Sequence, residues 1–160
     1  MEKLIESSVQ EVFSTMLNIQ PRSEPRSAAL PSSEQHVAGS VGFIGRLSGV
    51  VYLYCTNSFA RCITCGLLGI EEKDIEGDEM VNDAIGEMAN MVVGHLKSRL
   101  ADRGMPCVLT IPSIVRGRNF SIEPVSNTQT KVFLFQCNTH QLLVEVLIRQ
   151  LTQPIDSLTA

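Results

Sequence analysis

The sequence predicts an α+β domain in which a mostly antiparallel sheet carries long helices packed on one face. Two segments, residues 2–18 and 78–103, gather apolar residues on one side of a helix. After residue 35, apolar and polar residues alternate in several short runs, as in strands with one buried face. Helices and sheets with single apolar faces bury those faces against one another, so a layer of helices on a sheet is expected.

The N-terminal segment predicts an amphipathic helix over residues 2–18. Its apolar residues recur three and four positions apart: Leu4, Ile5, Val9, Val12, Phe13, Met16 and Leu17. The composition then changes, because residues 21–34 hold three prolines and four serines. We expect a flexible connector there, and a loop of this length also suits partial extension along a sheet edge.

The alternating pattern after residue 35 predicts a hairpin. Val37–Ile44 and Gly49–Tyr54 are expected to be antiparallel strands joined by a turn at residues 46–49. The three glycines near this turn, Gly42, Gly45 and Gly49, lack the Lys-Ser/Thr pair of a P-loop and the spacing of a dinucleotide site. They therefore indicate a turn and not a phosphate cradle.

A second helix is predicted over Asn57–Leu68, with Thr56 or Asn57 as its cap. It carries Cys62 and Cys65 as a Cys-x-x-Cys pair, a spacing found in redox and zinc sites. The pair lies beyond the first turn, where a helix N-terminus no longer lowers a thiol pKa, and no second Cys or His pair completes a zinc site. We interpret both cysteines as small buried side chains packed on the sheet.

Four further strands are predicted after the long helix, which Gly104 and Pro106 bring to an end. The last of them also fits a helical period, but its alternating, β-branched composition favours a strand. The predicted strands are Cys107–Ile111, Phe120–Ile122, Thr130–Cys137 and Leu142–Leu151.

The long helix, residues 78–103, has two opposite faces. At about 100° per residue, one side gathers Val81, Ala84, Ile85, Met88, Ala89, Val92 and Leu96. The opposite side carries Asp83, Glu87, Asn90, Gly94 and Ser98. Glu87 and Asn90 are three residues apart, so a carboxylate and a carboxamide stand together away from the core. A Glu-x-x-Asn taken alone is typical of a solvated face. His95, on the flank, is interpreted as a packing or rim residue and not as a base.

The run Asn82–Lys97 resembles the signature helix of the CheX-like chemotaxis phosphatases, which are grouped with the CheC phosphatases and the flagellar switch protein FliY. The motif of that family is Glu-x-x-Asn, with an Asp or Ser one turn before the Glu and a Pro well downstream. Asp83, Glu87 and Asn90 match its helical part, and Pro112 lies one residue short of the downstream position.

The likeness extends, in order, over nearly the whole chain. Val9–Met16 resembles the opening helix of the family, Gly42–Leu53 its first hairpin, and Met105–Ser113 the strand after its long helix. The resemblance implies a CheC/CheX-like fold in which residues 1–160 form a single domain, with residues 21–34 as a connector.

The resemblance implies a phosphatase that hydrolyses the aspartyl phosphate of a CheY-type response regulator in chemotaxis or two-component signalling. Water attacks the phosphoryl group in line, so most of the catalysis is positioning and charge neutralisation. By the resemblance, Asn90 orients this water, a task suited to a carboxamide that both accepts and donates hydrogen bonds. Glu87 docks to the active-site Lys of the regulator. Asp83 and Gly94 are expected to contact the partner.

The resemblance also implies that the chain has no cofactor or metal of its own, because the receiver domain supplies Mg²⁺. CheC relatives carry the motif on two helices, whereas Asn57–Leu68 contains no Glu, so a single site is expected. The subunits are expected to form a homodimer through a sheet edge.

A competing pair exists, because Glu79 and Asn82 also form a Glu-x-x-Asn. Asn82 falls near the edge of the apolar face, about 70° from its centre line. Ile75 stands where the family has an acidic or hydroxyl residue one turn before the Glu. Helical geometry therefore favours Glu87 and Asn90.

The composition excludes several partners. The net charge of −4 comes without any basic stripe, which argues against nucleic acid. No run of eighteen apolar residues occurs and the N-terminus lacks the apolar stretch of a signal peptide, so we expect a cytoplasmic protein that is not bound to a membrane. The five cysteines are then expected to be reduced.

Three interpretations follow. The first is an enzyme that dephosphorylates CheY-type regulators. The second is a binding module of the same fold that docks a receiver domain or a flagellar switch component without turnover. The third is a structural protein that assembles through its sheet edge, and the outward pair Glu87 and Asn90 weighs against it.

Overall fold

In the part of the chain that the computed structural model describes, residues 1–25, 30 and 33–150, seven strands form one antiparallel sheet with three α-helices on one face. This confirms the predicted fold class. In chain order the elements are α1 (Glu2–Leu17), β1 (Arg22–Glu24), β2 (His36–Gly45), β3 (Leu47–Thr56), α2 (Asn57–Leu68), α3 (Asp78–Ala101), β4 (Cys107–Leu109), β5 (Ser113–Gly117), β6 (Gln129–Cys137) and β7 (His140–Gln150).

The strand order across the sheet is β1-β6-β7-β3-β2, with β4 and β5 both paired to the outer edge of β2. Two hairpins form its centre. In the β2–β3 hairpin Val41 lies opposite Val51, and in the β6–β7 hairpin Phe133 lies opposite Val144. Short strands therefore occupy both ends of the sheet, three residues long in β1 and five residues long in β5.

The core lies between the helices and one face of the sheet. Alternate residues of the two central strands face it, for example Val51 opposite Val146 and Leu53 opposite Val144, and all four are buried. On the other face, the Tyr54 hydroxyl donates a hydrogen bond to Glu145 Oε2 at 2.8 Å. Alternation along each strand therefore separates an apolar inner face from a mixed outer one.

The helices begin and end close to their predicted positions. Thr56 caps α2, because its hydroxyl accepts a hydrogen bond from the Phe59 amide at 3.3 Å. Gly69 ends that helix in the left-handed conformation, with φ of 66°. The long helix stops at Ala101, shortly before Gly104, whose φ is 72°.

Two strand predictions were wrong. Phe120–Ile122 is not a strand: the Phe120 ring lies 6.1 Å from that of Tyr54, on the outer face of the sheet. The strand Ser113–Gly117 was missed, because its hydrogen bonds go to residues 36–40 of β2, far away in sequence. The last segment is a strand as favoured, up to Gln150, and Leu151 lies outside the described residues.

The predicted connector is extended in part. Arg22–Glu24 pairs with β6 as an edge strand, in line with the expected extension along a sheet edge. Residues 26–29, 31 and 32 lie outside the described residues.

The interpretation of the Cys-x-x-Cys pair as buried side chains was wrong. Cys62 is exposed and Cys65 half-buried, because α2 turns Phe59, Ala60 and Ile63 towards the core instead. The Cys62 thiol lies 3.5 Å from His140 Nε2. Desolvation, followed by the negative charges of neighbouring groups, raises its pKa. A raised pKa disfavours the reactive thiolate, so Cys62 is not activated for redox chemistry.

A glycine in β2 sets the distance between α3 and the sheet. A Cβ atom on Gly39 would lie 2.9 Å from Ile85 Cγ2 and 3.1 Å from the Ile85 carbonyl oxygen. The second contact is with helix backbone, which cannot move aside as a flexible side chain can. The absence of a side chain at this position therefore allows α3 to lie directly on β2.

We predict that Gly39→Ala destabilises the fold by about 1–3 kcal/mol, because the added methyl group overpacks the contact between helix and sheet. Urea unfolding measures this change in the free energy of unfolding. Gly94→Ala is the matched control: nothing lies within 4 Å of a Cβ added there. In the middle of α3, alanine is expected to stabilise by up to about 1 kcal/mol. Equal stabilities for the two variants would contradict the role given to Gly39.

Candidate functional site

The two faces of α3 are as predicted. All seven residues of the apolar stripe are buried. On the opposite line, Asp83, Glu87 and Ser98 are exposed, and Asn90 and Gly94 are half-buried. From Asp83 to Gly94 this line covers about 16 Å of the helix axis. It forms a narrow polar strip on a rigid element.

Glu87 and Asn90 are available to a partner. Neither side chain makes a hydrogen bond or ion pair with another residue in the described part of the chain, which confirms their predicted accessibility. At three residues apart on a helix, their Cβ atoms are about 5–6 Å from each other. The pair therefore presents a negative charge beside a group that both donates and accepts hydrogen bonds.

The loop between β4 and β5 brings Pro112 to this helix. A Cβ added to Gly86, the residue before Glu87, would lie 3.4 Å from Pro112 Cβ and 3.9 Å from Ile114 Cδ1. Pro112 itself is exposed. The helical part of the motif and its downstream proline, 22 or more positions apart along the chain, therefore lie on one surface.

Arg116 joins the beginning of α3 to β5 and α2. Its Nε donates to Asn82 Oδ1 at 2.6 Å and its Nη1 to Asn57 Oδ1 at 2.8 Å, while Asp78 Oδ1 lies 3.7 Å from Nη1. Asn82 is therefore engaged within the subunit, unlike Asn90. This supports the choice of Glu87 and Asn90 over the competing pair.

The C-terminal half of α3 is tied to α1 through His95. Glu11 lies 3.5 Å from His95 Nε2 and 3.2 Å from Arg99 Nη2, and Arg99 Nε donates to His95 Nδ1 at 3.2 Å. The half-buried imidazole thus holds two helices together, which agrees with its interpretation as a packing or rim residue.

A groove of about 870 Å³ runs between the end of α2 and the first half of α3. Its apolar part consists of Leu67, Leu68, Met80 and Ala84. Five carboxylates line it as well: Glu76, Asp78, Glu79, Asp83 and Glu87. We call this surface the α2–α3 groove. It is continuous with the polar strip, because Asp83 and Glu87 belong to both.

Two features of the site escaped sequence reasoning. Arg116 lies within a strand that was not predicted, and its only sequence signal is a cation within a short apolar run. The apolar part of the α2–α3 groove needs the ends of two helices to meet, which no local pattern reveals.

Among the residues described, no group of three or more His, Cys, Asp or Glu could hold a metal ion. No helix of the described chain is long and apolar enough to cross a membrane.

Comparison with known proteins identifies relatives of this chain. The CheY-P phosphatase CheX of Thermotoga maritima is 26% identical over 118 residues, which cover 72% of this chain and 75% of the relative. The crystal structure of CheX from Desulfovibrio desulfuricans has a TM-score of 0.77 at 25% identity, and the match covers 92% of this chain and 97% of that one.

A CheX from Borrelia burgdorferi shares the fold, with a TM-score of 0.75 at 19% identity over 92% of this chain and 97% of that one. It was solved as a complex with CheY, BeF₃ and Mg²⁺.

A family model described as chemotaxis phosphatase CheX matches residues 37–136. This range includes Asp83, Glu87, Asn90 and Pro112, and it covers more than half of the 160 residues. The resemblance stated from the sequence is confirmed, and with it the expectation of a phosphatase. The chain belongs to the CheX family of chemotaxis phosphatases.

Proposed function

We propose that this chain hydrolyses the aspartyl phosphate of a CheY-type response regulator, with its single site at Glu87 and Asn90. The observation that carries the proposal is the presence of both side chains, accessible and without described partners, on a helix that its apolar face holds in place. The relative from Thermotoga maritima is a CheY-P phosphatase, and the CheX from Borrelia burgdorferi binds CheY. The proposed substrate implies a cytoplasmic location.

In the proposed reaction, Asn90 fixes the attacking water. Its carboxamide oxygen accepts a hydrogen bond from the water, and its NH₂ donates to a phosphoryl oxygen. Water is then held in line with the bond between phosphorus and the aspartyl oxygen, which breaks as the new P–O bond forms. Aspartate and inorganic phosphate are the products. Positioning of this kind lowers the barrier because the orientation is already established before the reaction.

In the same proposal, Glu87 docks the helix by pairing with the active-site Lys of the regulator. A carboxylate that lacks a described cation within its own subunit is suited to such a contact, because no existing ion pair has to be broken. Asp83 and Gly94 lie one turn before Glu87 and one turn after Asn90, so they are placed to contact the same partner. At Gly94, the space beside the helix is open and allows a close approach.

We further propose that the Mg²⁺ needed for phosphoryl transfer is held by the receiver domain and not by this chain. The complex of the Borrelia burgdorferi CheX with CheY contains BeF₃ and Mg²⁺. The metal neutralises charge on the phosphoryl oxygens. Glu87 and Asn90 then supply only the docking and the water position.

A homodimer through a sheet edge is also proposed. The outer edge of β5 has no strand partner in the described chain, and it is longer than the edge of β1. Val115 in β5 is 41% exposed. Unpaired edge strands with apolar side chains favour pairing with another chain, which a twofold axis can close.

We predict that Asn90→Ala lowers the rate of dephosphorylation at saturating regulator about a hundredfold, equivalent to ~2.7 kcal/mol, while binding changes little. The reason is that the lost interaction matters mainly in the transition state. Phosphate release from a phosphorylated receiver domain measures the rate, and a binding assay measures the affinity. Asn90→Gln keeps the amide but moves it by one methylene, so partial activity is expected.

Ser98→Ala serves as the control for Asn90→Ala, since Ser98 lies on the same strip two turns further on. Undiminished turnover by Asn90→Ala would refute the assignment. Binding without any phosphate release by the parent protein would instead identify the chain as a binding module of the same fold.

We predict that Glu87→Ala weakens docking, because it removes a charge used in forming the complex. The KM should rise, and the affinity should depend less on salt than in the parent, since screening acts on the lost ion pair. Asp102→Ala, which removes an exposed carboxylate at the other end of α3, is the matched control. An unchanged salt dependence for Glu87→Ala would contradict the proposed pairing.

We predict that Val115→Lys shifts a dimer to a monomer, because a charge on an edge strand opposes pairing with a second chain. Light scattering over a range of concentrations measures the mass. Val125→Lys is the control, as Val125 is 73% exposed but lies outside the strands. A monomer mass for the parent at all concentrations would rule out the proposed homodimer.

A further inference from the structure

We propose that the α2–α3 groove is a second docking site for the receiver domain, one that takes a segment carrying a Lys or Arg beside an apolar side chain. This inference rests on the proposed function, and it deepens that function by naming what the partner must present next to its phosphorylated Asp. It is carried by three observations: an exposed apolar floor, a set of carboxylates without cations, and continuity with Glu87.

The floor of the groove is apolar and accessible. Leu68, at the last position of α2, is 51% exposed, and it lies beside the half-buried Leu67 and Met80. The inward-facing residues of the same helix, Phe59 and Ile63, are instead fully packed in the core. When a partner covers a large apolar side chain that a concave surface leaves in water, the free energy falls, and this favours binding.

Four of the five carboxylates that line the groove have no cation partner among the described residues. Glu76, Glu79 and Asp83 have no hydrogen bond or ion pair with any residue that the structure describes. Asp78 has only Arg116, at 3.7 Å. No Lys, Arg or His lines the groove among the described residues.

Acidic residues just outside the groove differ in this respect. The Glu71 carboxylate lies 2.6 Å from Lys73 Nζ, and the Glu72 carboxylate lies 3.0 Å from Arg61 Nε. Glu71 and Glu72 next to the groove therefore have cation partners, whereas four of the five carboxylates that line it have none among the described residues. Uncompensated charge of one sign around a concavity attracts the opposite charge and speeds association with a partner that carries it.

The location of the groove along α3 indicates which molecule binds in it. Glu79 lies eight residues before Glu87, about 12 Å along the helix axis. A receiver domain seated on Glu87 and Asn90 is wider than this distance, since even a domain of 100 residues has a radius of gyration of about 13 Å. The regulator that covers the catalytic pair is therefore large enough to reach the groove, where a basic and apolar segment of its surface would fit.

The test is the charge reversal Glu76→Lys/Glu79→Lys, measured by steady-state dephosphorylation of a CheY-type receiver domain from the same organism. The KM should rise about tenfold at low ionic strength while kcat stays within about twofold, because these residues act on encounter and not on the reacting atoms. The difference should shrink as salt is added. Leu68→Ser should raise KM about threefold or more by removing the apolar contact.

Matched controls carry the same changes elsewhere. Glu24→Lys/Asp102→Lys reverses two exposed carboxylates outside the groove, and Val125→Ser removes an exposed apolar side chain. Lysine near a helix N-terminus opposes the helix dipole, which lowers the stability of the fold. The neutral pair Glu76→Gln/Glu79→Gln, together with the unfolding midpoints of all variants, therefore separates effects on docking from effects on stability. The neutral pair should raise KM by a smaller factor than the lysine pair.

The groove proposal is overturned if the groove variants and their controls have the same KM and the same salt dependence. If the parent protein releases no phosphate, the proposed function fails, and the groove is judged by the Kd for the receiver domain loaded with Mg²⁺ and BeF₃⁻. A tenfold weaker Kd for the lysine pair then supports the groove as a docking site without turnover. An unchanged Kd rejects it.

Discussion

The rotation of α3 about its own axis is the constraint on which the site depends. Nine side chains of this helix are buried, among them the seven of the apolar stripe, and each of the larger ones contributes about 1.5–3 kcal/mol. Their sum is comparable to the whole free energy of unfolding of a typical domain, so no other rotation is compatible with the fold. The polar strip with Glu87 and Asn90 faces outward because the opposite side cannot leave the core. Gly39, which has no side chain, allows the close approach of α3 to β2.

Side-chain hydrogen bonds and ion pairs then determine which polar residues of α3 have no partner within the described chain. Arg116 engages Asn82 and reaches Asp78, so the beginning of the helix is anchored to β5 and α2. His95 anchors the other half to α1 through Glu11. Between these two anchors, the stretch that holds Glu87 and Asn90 carries no such contacts within the described chain. Glu87 and Asn90 are thus held on a rigid helix and remain unengaged within the described chain, as positional catalysis requires.

The negative charge at the start of α3 has two physical consequences. Asp78 and Glu79 lie in the first turn, where the helix dipole favours negative charge, so the acidic composition stabilises the helix at little cost. Glu79, together with Asp83 and Glu87, leaves one side of the proposed docking surface without compensating cations among the described residues. Stability of the helix and attraction of a basic partner therefore arise from one set of residues.

Much of this protein could be predicted from its sequence, because the determining signals were local. The period of α3 identified both its faces and the outward pair, and Thr56 and Gly69 marked the ends of α2. Alternation identified the first hairpin and the two later long strands. The signals that failed were non-local. The strand Ser113–Gly117 depends on pairing with β2, and the exposure of Cys62 depends on which side of α2 meets the core. The position of Phe120 depends on its contact with the ring of Tyr54. Only the tertiary structure brings Pro112 beside Gly86, engages Asn82 in a hydrogen bond with Arg116 and forms the α2–α3 groove. Each of these features needs segments that are distant in sequence to meet in space.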